Sequence, residues 1–114
     1  MLTPPRSFEA QAAEAAGLLK ALSNPSRLLV LCHLAEETEL SVTELAKSVG
    51  LSQSALSQHL AKLRDEGLVA TRKQAQTVFY RVADQRAERL LLLLQELYCP
   101  ELGGRKASGS RANG

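Results

Sequence analysis

Long hydrophobic runs are missing from this sequence. None exceeds five residues, the length of Leu90 to Leu94, which sits inside a helical pattern, far short of the roughly 18 apolar residues that a membrane span requires. Met1 to Arg6 lack the charged-then-apolar run of a secretory leader. Both absences point to a cytoplasmic protein with no membrane partner. Histidine and cysteine are scarce, with two of each. There is no cluster of histidines with acids, no glycine-rich phosphate loop and no nucleophile beside a plausible base, which leaves an enzyme without machinery. Internal repeats and loops long enough to divide two domains are also lacking.

What is present is ordinary globular material: 114 residues, 45% hydrophobic and 23% charged, enough for one core in one domain. The net charge of +2 is unevenly spread. Residues 1–40 carry three basic and five acidic side chains, residues 41–83 six and three, residues 84–100 two and three, and residues 101–114 three and one. Positive charge therefore collects in the middle segment. Phosphate binding needs such a local basic surface, although charge alone fits a solvated face equally well.

Helix signals dominate the first half. Phe8, Ala12, Ala15, Leu18, Leu19 and Leu22 recur at helical spacing behind Ser7, a capping residue. Ser23-Asn24-Pro25 breaks that helix and starts a second, running to about Glu36, because Asn caps and Pro suits the first helical position. Ser41-Val42-Thr43-Glu44 has the capping-box form and opens a brief helix that closes near Val49-Gly50. Ser52 caps a fourth helix from Gln53 to about Glu66, stopped by Gly67. Leu68 to Lys73 and Thr77 to Val82 then read as two strands about a Gln74-Ala75-Gln76 turn. Asp84 caps a last helix through about Tyr98, closed by Pro100, and a basic tail over residues 101–114 is expected to be disordered.

A short helix, a glycine turn and a longer helix is the helix-turn-helix arrangement, whose second helix enters the major groove. Leu56, Leu60 and Leu63 lie within about 60° of one another on that helix, opposite Ser54, Ser57, Gln58 and Ala61. Uncharged donors and acceptors at Gln53, Ser57 and Gln58 suit base edges, and small residues such as Ser54 and Ala61 allow close docking. Ser52 and Lys62 extend the same surface. The hairpin places Arg72, Lys73, Gln74 and Gln76 at a protruding tip, suited to phosphates or the minor groove. His59 falls on the flank of the apolar stripe, where packing is its expected role.

The segments Leu22-Ser23-Asn24-Pro25-Ser26-Arg27-Leu28 and Leu51 to Val69, which includes Ser57-Gln58-His59-Leu60-Ala61-Lys62-Leu63-Arg64-Asp65-Glu66-Gly67-Leu68, resemble the ArsR/SmtB family of winged-helix repressors. The resemblance spans roughly residues 15–99. It implies a mainly α fold with a small β-hairpin, a winged helix-turn-helix of four helices, two strands and a fifth helix. It also implies a homodimer through the first and last helices, bound to double-stranded operator DNA, with residues 1–100 as the DNA-binding and dimerisation domain. Leu90 to Leu94 agrees independently, since it offers more apolar circumference than one small core covers.

Family members often sense metals, and the ligand positions that the resemblance implies can be compared. Where the arsenic-type site has two cysteines after Glu-Leu, this chain has Ser41, Val42 and Thr43 after Glu39-Leu40. Where the zinc-type site has histidines in the last helix, this chain has Asp84 and Glu88 and no histidine. No metal site or other cofactor is expected. Cys32 and Cys99 are similar in setting to the family's dithiol subgroup, whose paired cysteines react with sulfane sulfur. The resemblance then implies a disulfide or polysulfide bridge between them and a fall in DNA affinity, with reactive sulfur species as inducer. A cytosolic dithiol is suited to such a role, because it rests reduced. General oxidants, haem or a soft metal such as Cu(I) remain alternative inducers, and an interaction-only winged helix is the rival to DNA binding.

Overall fold

A computed structural model describes residues 7–99. The expected helix stop at Pro100 and the expected tail over residues 101–114 lie outside the described residues. The elements run α1 (Phe8–Leu22), α2 (Pro25–Glu37), β1 (Leu40–Ser41), α3 (Val42–Val49), α4 (Gln53–Asp65), β2 (Val69–Gln74), β3 (Thr77–Val82) and α5 (Gln85–Tyr98). This is the expected winged helix-turn-helix order.

Each helix starts on a side chain that satisfies backbone donors left open by the helix geometry. The Ala10 N–H donates to Ser7 Oγ at 3.1 Å, Arg27 N–H to Asn24 Oδ1 at 3.1 Å, and Ala55 N–H to Ser52 Oγ at 3.1 Å. At α3 the capping box is complete, with Glu44 N–H donating to Ser41 Oγ and Ser41 N–H to Glu44 Oε1. Asp84 Oδ1 accepts from both Arg86 and Ala87 N–H. Gly50 ends α3 at φ 72°, a left-handed conformation that costs glycine no Cβ clash.

The core gathers one stripe from each of several helices. Val30, Leu31 and Leu34 of α2, Leu45 of α3, Leu56, Leu60 and Leu63 of α4, and Leu91 of α5 are essentially fully buried. Each such side chain contributes about 1.5–3 kcal/mol on leaving water. The α1 helix is mostly exposed: Leu22 is buried and Leu18 packs on the core, whereas Phe8 and Leu19 stand in solvent in this single chain. Arg27 joins the α1–α2 corner to the end of α4, donating from Nη1 to the Ala21 carbonyl and to Glu66 Oε1. That gives the arginine of the Leu-Ser-x-Pro-x-Arg segment a structural task.

The sheet differs from expectation in having a third strand. Its order is β1-β3-β2, all antiparallel. β1 pairs Leu40 with Tyr80 and Ser41 with Phe79. A two-residue strand is too short to show an alternating pattern, so only its distant partner defines it. Gln74 also proves to be the last residue of β2 paired with Thr77, so the turn is Ala75-Gln76. Ala75 takes φ 55° there, which a non-glycine residue adopts at some cost.

Candidate nucleic-acid interface and dithiol site

The α4 face opposite the buried leucines carries Gln53, Ser54, Ser57, Gln58, Ala61 and Lys62, all exposed. α3 packs across the inner side of α4, and the C-terminal end of α4 leads into β2, so helix and wing are held on one framework. Gln53, Ser54, Ser57, Gln58 and Lys62 therefore share one helix surface. Ser52 is at its edge, with its hydroxyl oxygen engaged as the cap of α4. Lys73, Gln74 and Gln76 are exposed at the end of the hairpin.

Arg72 is placed differently from its expected position at the tip. It pairs with Phe79 in the ladder, and its guanidinium turns back onto Glu39. Arg72 Nε donates to Glu39 Oε2 at 2.9 Å and Nη2 to Oε1 at 2.8 Å, a two-pronged ion pair. Nη1 donates to Gln74 Oε1 at 2.8 Å, and the guanidinium carbon lies 4.8 Å from the centre of the Phe79 ring. The hydrogen bonds from Arg72 hold the Glu39 carboxyl below its ordinary range, and Glu39 in turn raises the guanidinium. Arg72 is thus a brace for the wing, and Lys73 is left as the cation of the tip. Glu39 escaped the sequence reading, because nothing local marks a partner 33 residues away.

Cys32 is half-buried on α2, and Cys99 is exposed at the C-cap of α5. Both line one groove of about 290 Å³ between α2 and α5, with Leu28, Leu29, His33 and Gln95 on its walls. Burial pushes the Cys32 thiol above its ordinary value, a hydrogen bond with Gln95 works against that, and Cys99 and Glu36 push it further up. Gln95 is only 4% exposed and donates from Nε2 to the Cys32 carbonyl at 3.0 Å. A sequence signal for it existed: Gln95 is in phase with the buried Ala87 and Leu91 on α5, the position of an apolar residue. His59 is half-buried, as its place beside the leucine stripe led us to expect. Among the described residues, no group of three His, Cys, Asp or Glu side chains is placed to hold a metal ion.

Leu92, Leu93, Leu97 and Tyr98 leave α5 with a large apolar face toward solvent, Leu97 being 63% and Tyr98 79% exposed. No described helix is long and apolar enough to cross a membrane.

Comparison with known proteins points one way. The model of the bacterial regulatory protein arsR family matches residues 24–71, the stretch from α2 into β2. The chain is 42% identical over 99 residues to the HTH-type transcriptional regulator YgaV of Escherichia coli, covering 87% of this chain and 100% of YgaV. It is 52% identical over 94 residues to the transcriptional activator HlyU of Vibrio cholerae, covering 82% and 86%. The structure of reduced HlyU matches with a TM-score of 0.76 at 53% identity, over 81% of this chain and 96% of that one. The transcriptional repressor BigR from Xylella fastidiosa matches with a TM-score of 0.75 at 41% identity, over 82% and 92%.

Proposed function

The chain belongs to the arsR family of bacterial regulatory proteins, transcription factors and not enzymes, and from that membership we propose a dimeric, thiol-controlled repressor acting in the cytoplasm. Two copies join through α1 and α5. Residues 1–100 are the DNA-binding and dimerisation domain. The exposed Leu93, Leu97 and Tyr98 support a dimer, because a patch of this kind on a small domain marks a surface that is covered in use. Gln53, Ser54, Ser57 and Gln58 read base edges of duplex operator DNA, with Ser52 at the helix start. Lys62, Lys73, Gln74 and Gln76 meet the backbone, and Arg72 steadies the wing. A factor that covers an operator blocks the promoter beneath it, and the name of HlyU shows that a relative has the opposite sign. Operator position decides which applies.

The inducer is sulfane sulfur. The observation that carries this reading is that Cys32 and Cys99, the only two cysteines in the sequence, line one groove between α2 and α5. With a hydropolysulfide, one thiolate attacks a sulfane sulfur, an S–S bond breaks, and hydrosulfide leaves with the electron pair. The second thiolate attacks the bound chain, a second hydrosulfide leaves, and the sulfur atoms that remain bridge the pair. A low-molecular-weight persulfide gives the plain disulfide by the same two displacements, releasing a thiol and hydrogen sulfide. The bridge ties α2 to the end of α5. Since α2 packs on α3 and α3 on α4, a change there reaches the recognition helices. A coupling of about 1–3 kcal/mol lowers operator affinity by about 5- to 150-fold.

Intact mass spectrometry after parallel treatment with polysulfide, hydrogen peroxide and oxidised glutathione tests the inducer, with operator binding followed in the same samples. Sulfur atoms added between the cysteines and DNA released, with both effects lost in Cys32→Ser and Cys99→Ser, is the expected result. Equal speed with peroxide makes the protein a general oxidant sensor. Release that survives in both variants removes the dithiol from the mechanism.

A further inference from the structure

Each cysteine of the pair is held by the same residue. The Cys99 N–H donates to the backbone carbonyl of Gln95 at 2.7 Å. The Gln95 side chain donates from Nε2 to the Cys32 carbonyl at 3.0 Å, and it favours the charged form of the Cys32 thiol. A primary amide has two N–H groups, so the carboxamide that holds the Cys32 backbone has a second N–H to offer the sulfur beside it. Gln95 lies on the buried side of α5, where a polar group persists only if its hydrogen bonds are made. An apolar residue in phase with Ala87 and Leu91 would fill the position without that requirement.

We propose that Gln95 is the positioning residue of the dithiol: it clamps α5 to α2 between the two sulfurs and gives an N–H to the Cys32 sulfur as that sulfur closes the bridge. This rests on the sulfur-sensing reading above. The two cysteines then have different tasks. Cys99 is exposed and meets the reagent first, whereas Cys32 is half-buried and acts second. In the second step with a persulfide donor, the Cys32 thiolate attacks the Cys99 sulfur of the Cys99–S–SH adduct. The new S–S bond forms as the old one breaks, and hydrosulfide leaves with its electron pair and takes a proton from water. This step is the difficult one, because Cys32 must carry its negative charge where burial and Glu36 oppose ionisation. Among the described residues, Cys99 on α5 and Glu36 on α2 are the titratable groups acting on Cys32, and Gln95 is the group that favours its charged form. His33 also lines the groove.

The test compares the full-length reduced protein with Gln95→Met, which keeps length and removes the donor, and with Gln95→Glu, which keeps shape and adds an opposing charge. Rapid-quench mass spectrometry after a pulse of polysulfide follows the open Cys99 adduct and the closed bridge. We expect sulfur uptake at Cys99 to keep its rate in Gln95→Met. Closing should slow at least about tenfold, as for loss of one hydrogen bond to a charged group. The open adduct should accumulate, and the pH of half-maximal closing should move upward by about one unit. Closing at the wild-type rate with an unmoved pH profile in both variants would overturn the proposal, since a merely structural clasp shifts melting temperature and leaves that profile alone. If the wild type takes up no sulfur, the sensing reading fails. The proposal is then judged on alkylation of Cys32 in Cys99→Ser, whose pH midpoint must rise when Gln95→Met is added.

Discussion

α4 and α5 are helices of nearly equal length, 13 and 14 residues, that place their polar and apolar side chains in opposite ways. On α4 three leucines are buried and the outer face is Gln, Ser, Ala and Lys. On α5 a glutamine is buried while Leu92, Leu93, Leu97 and Tyr98 are outside. An exposed leucine is unremarkable singly, but a buried polar group together with a contiguous apolar face is informative. The first helix satisfies its own fold and offers hydrogen bonds to DNA. The second leaves its outer face uncovered in one chain, which suits the proposed dimer, and its inner face carries the glutamine that bonds to Cys32.

Substituting one leucine on each helix should separate these roles. Leu60→Ala on α4 removes a fully buried side chain and should cost about 2–5 kcal/mol of folding stability, read as a lower midpoint in urea. Leu97→Asp on α5 should leave the midpoint of the isolated chain nearly unchanged. It should instead shift sedimentation toward monomer and weaken operator binding by more than about tenfold, because one copy reaches a single half-site. A Leu97→Asp protein that still sediments as a dimer would move the interface off this face.

The contrast also explains which features could be read in the sequence. Helix starts were legible at Ser7, Asn24, Ser41, Ser52 and Asp84, because each cap bonds a donor within two or three residues. The polar face of α4 was legible for the same reason, since helical phase is local. The interactions that organise the wing and the dithiol are not local. Arg72 reaches Glu39 across 33 residues and Gln95 reaches Cys32 across 63. β1 exists only because Tyr80 and Phe79 lie opposite it. Both cysteines could be singled out by type and by resemblance, and helical phase marks Gln95 as polar on an apolar stripe, but its partner Cys32 could not be read, because that is set by the packing of α2 on α5.

A smaller effect is expected on the DNA side. Gln58 is exposed on α4 with uncharged donors and acceptors, the chemistry of adenine recognition. Gln58→Ala should cost about 1–3 kcal/mol of operator binding and leave binding to unrelated duplex almost unchanged, measured by titration of both duplexes at one salt concentration. Equal losses on both would assign Gln58 to the backbone and leave base reading to Gln53 and Ser57.

The smallest expected change concerns the brace of the wing. The Glu39 carboxyl sits below its ordinary range because Arg72 hydrogen-bonds its charged form. A depressed folded-state value means the pair adds stability above the ordinary carboxylate range, and that contribution disappears as pH falls through the depressed value. Glu39→Gln should therefore melt like the wild type in strong acid and only slightly below it at neutral pH, since the pair is solvent-exposed. Its effect on DNA should have the opposite sign. Arg72 without its carboxylate is a free cation beside Lys73, so the variant should bind unrelated duplex more tightly, with a salt dependence steeper by up to about one counterion. An unchanged salt slope would mean that Arg72 does not come within reach of the phosphates even when released. The wing would then contact DNA through Lys73, Gln74 and Gln76 alone, with Arg72 confined to bracing it through Phe79.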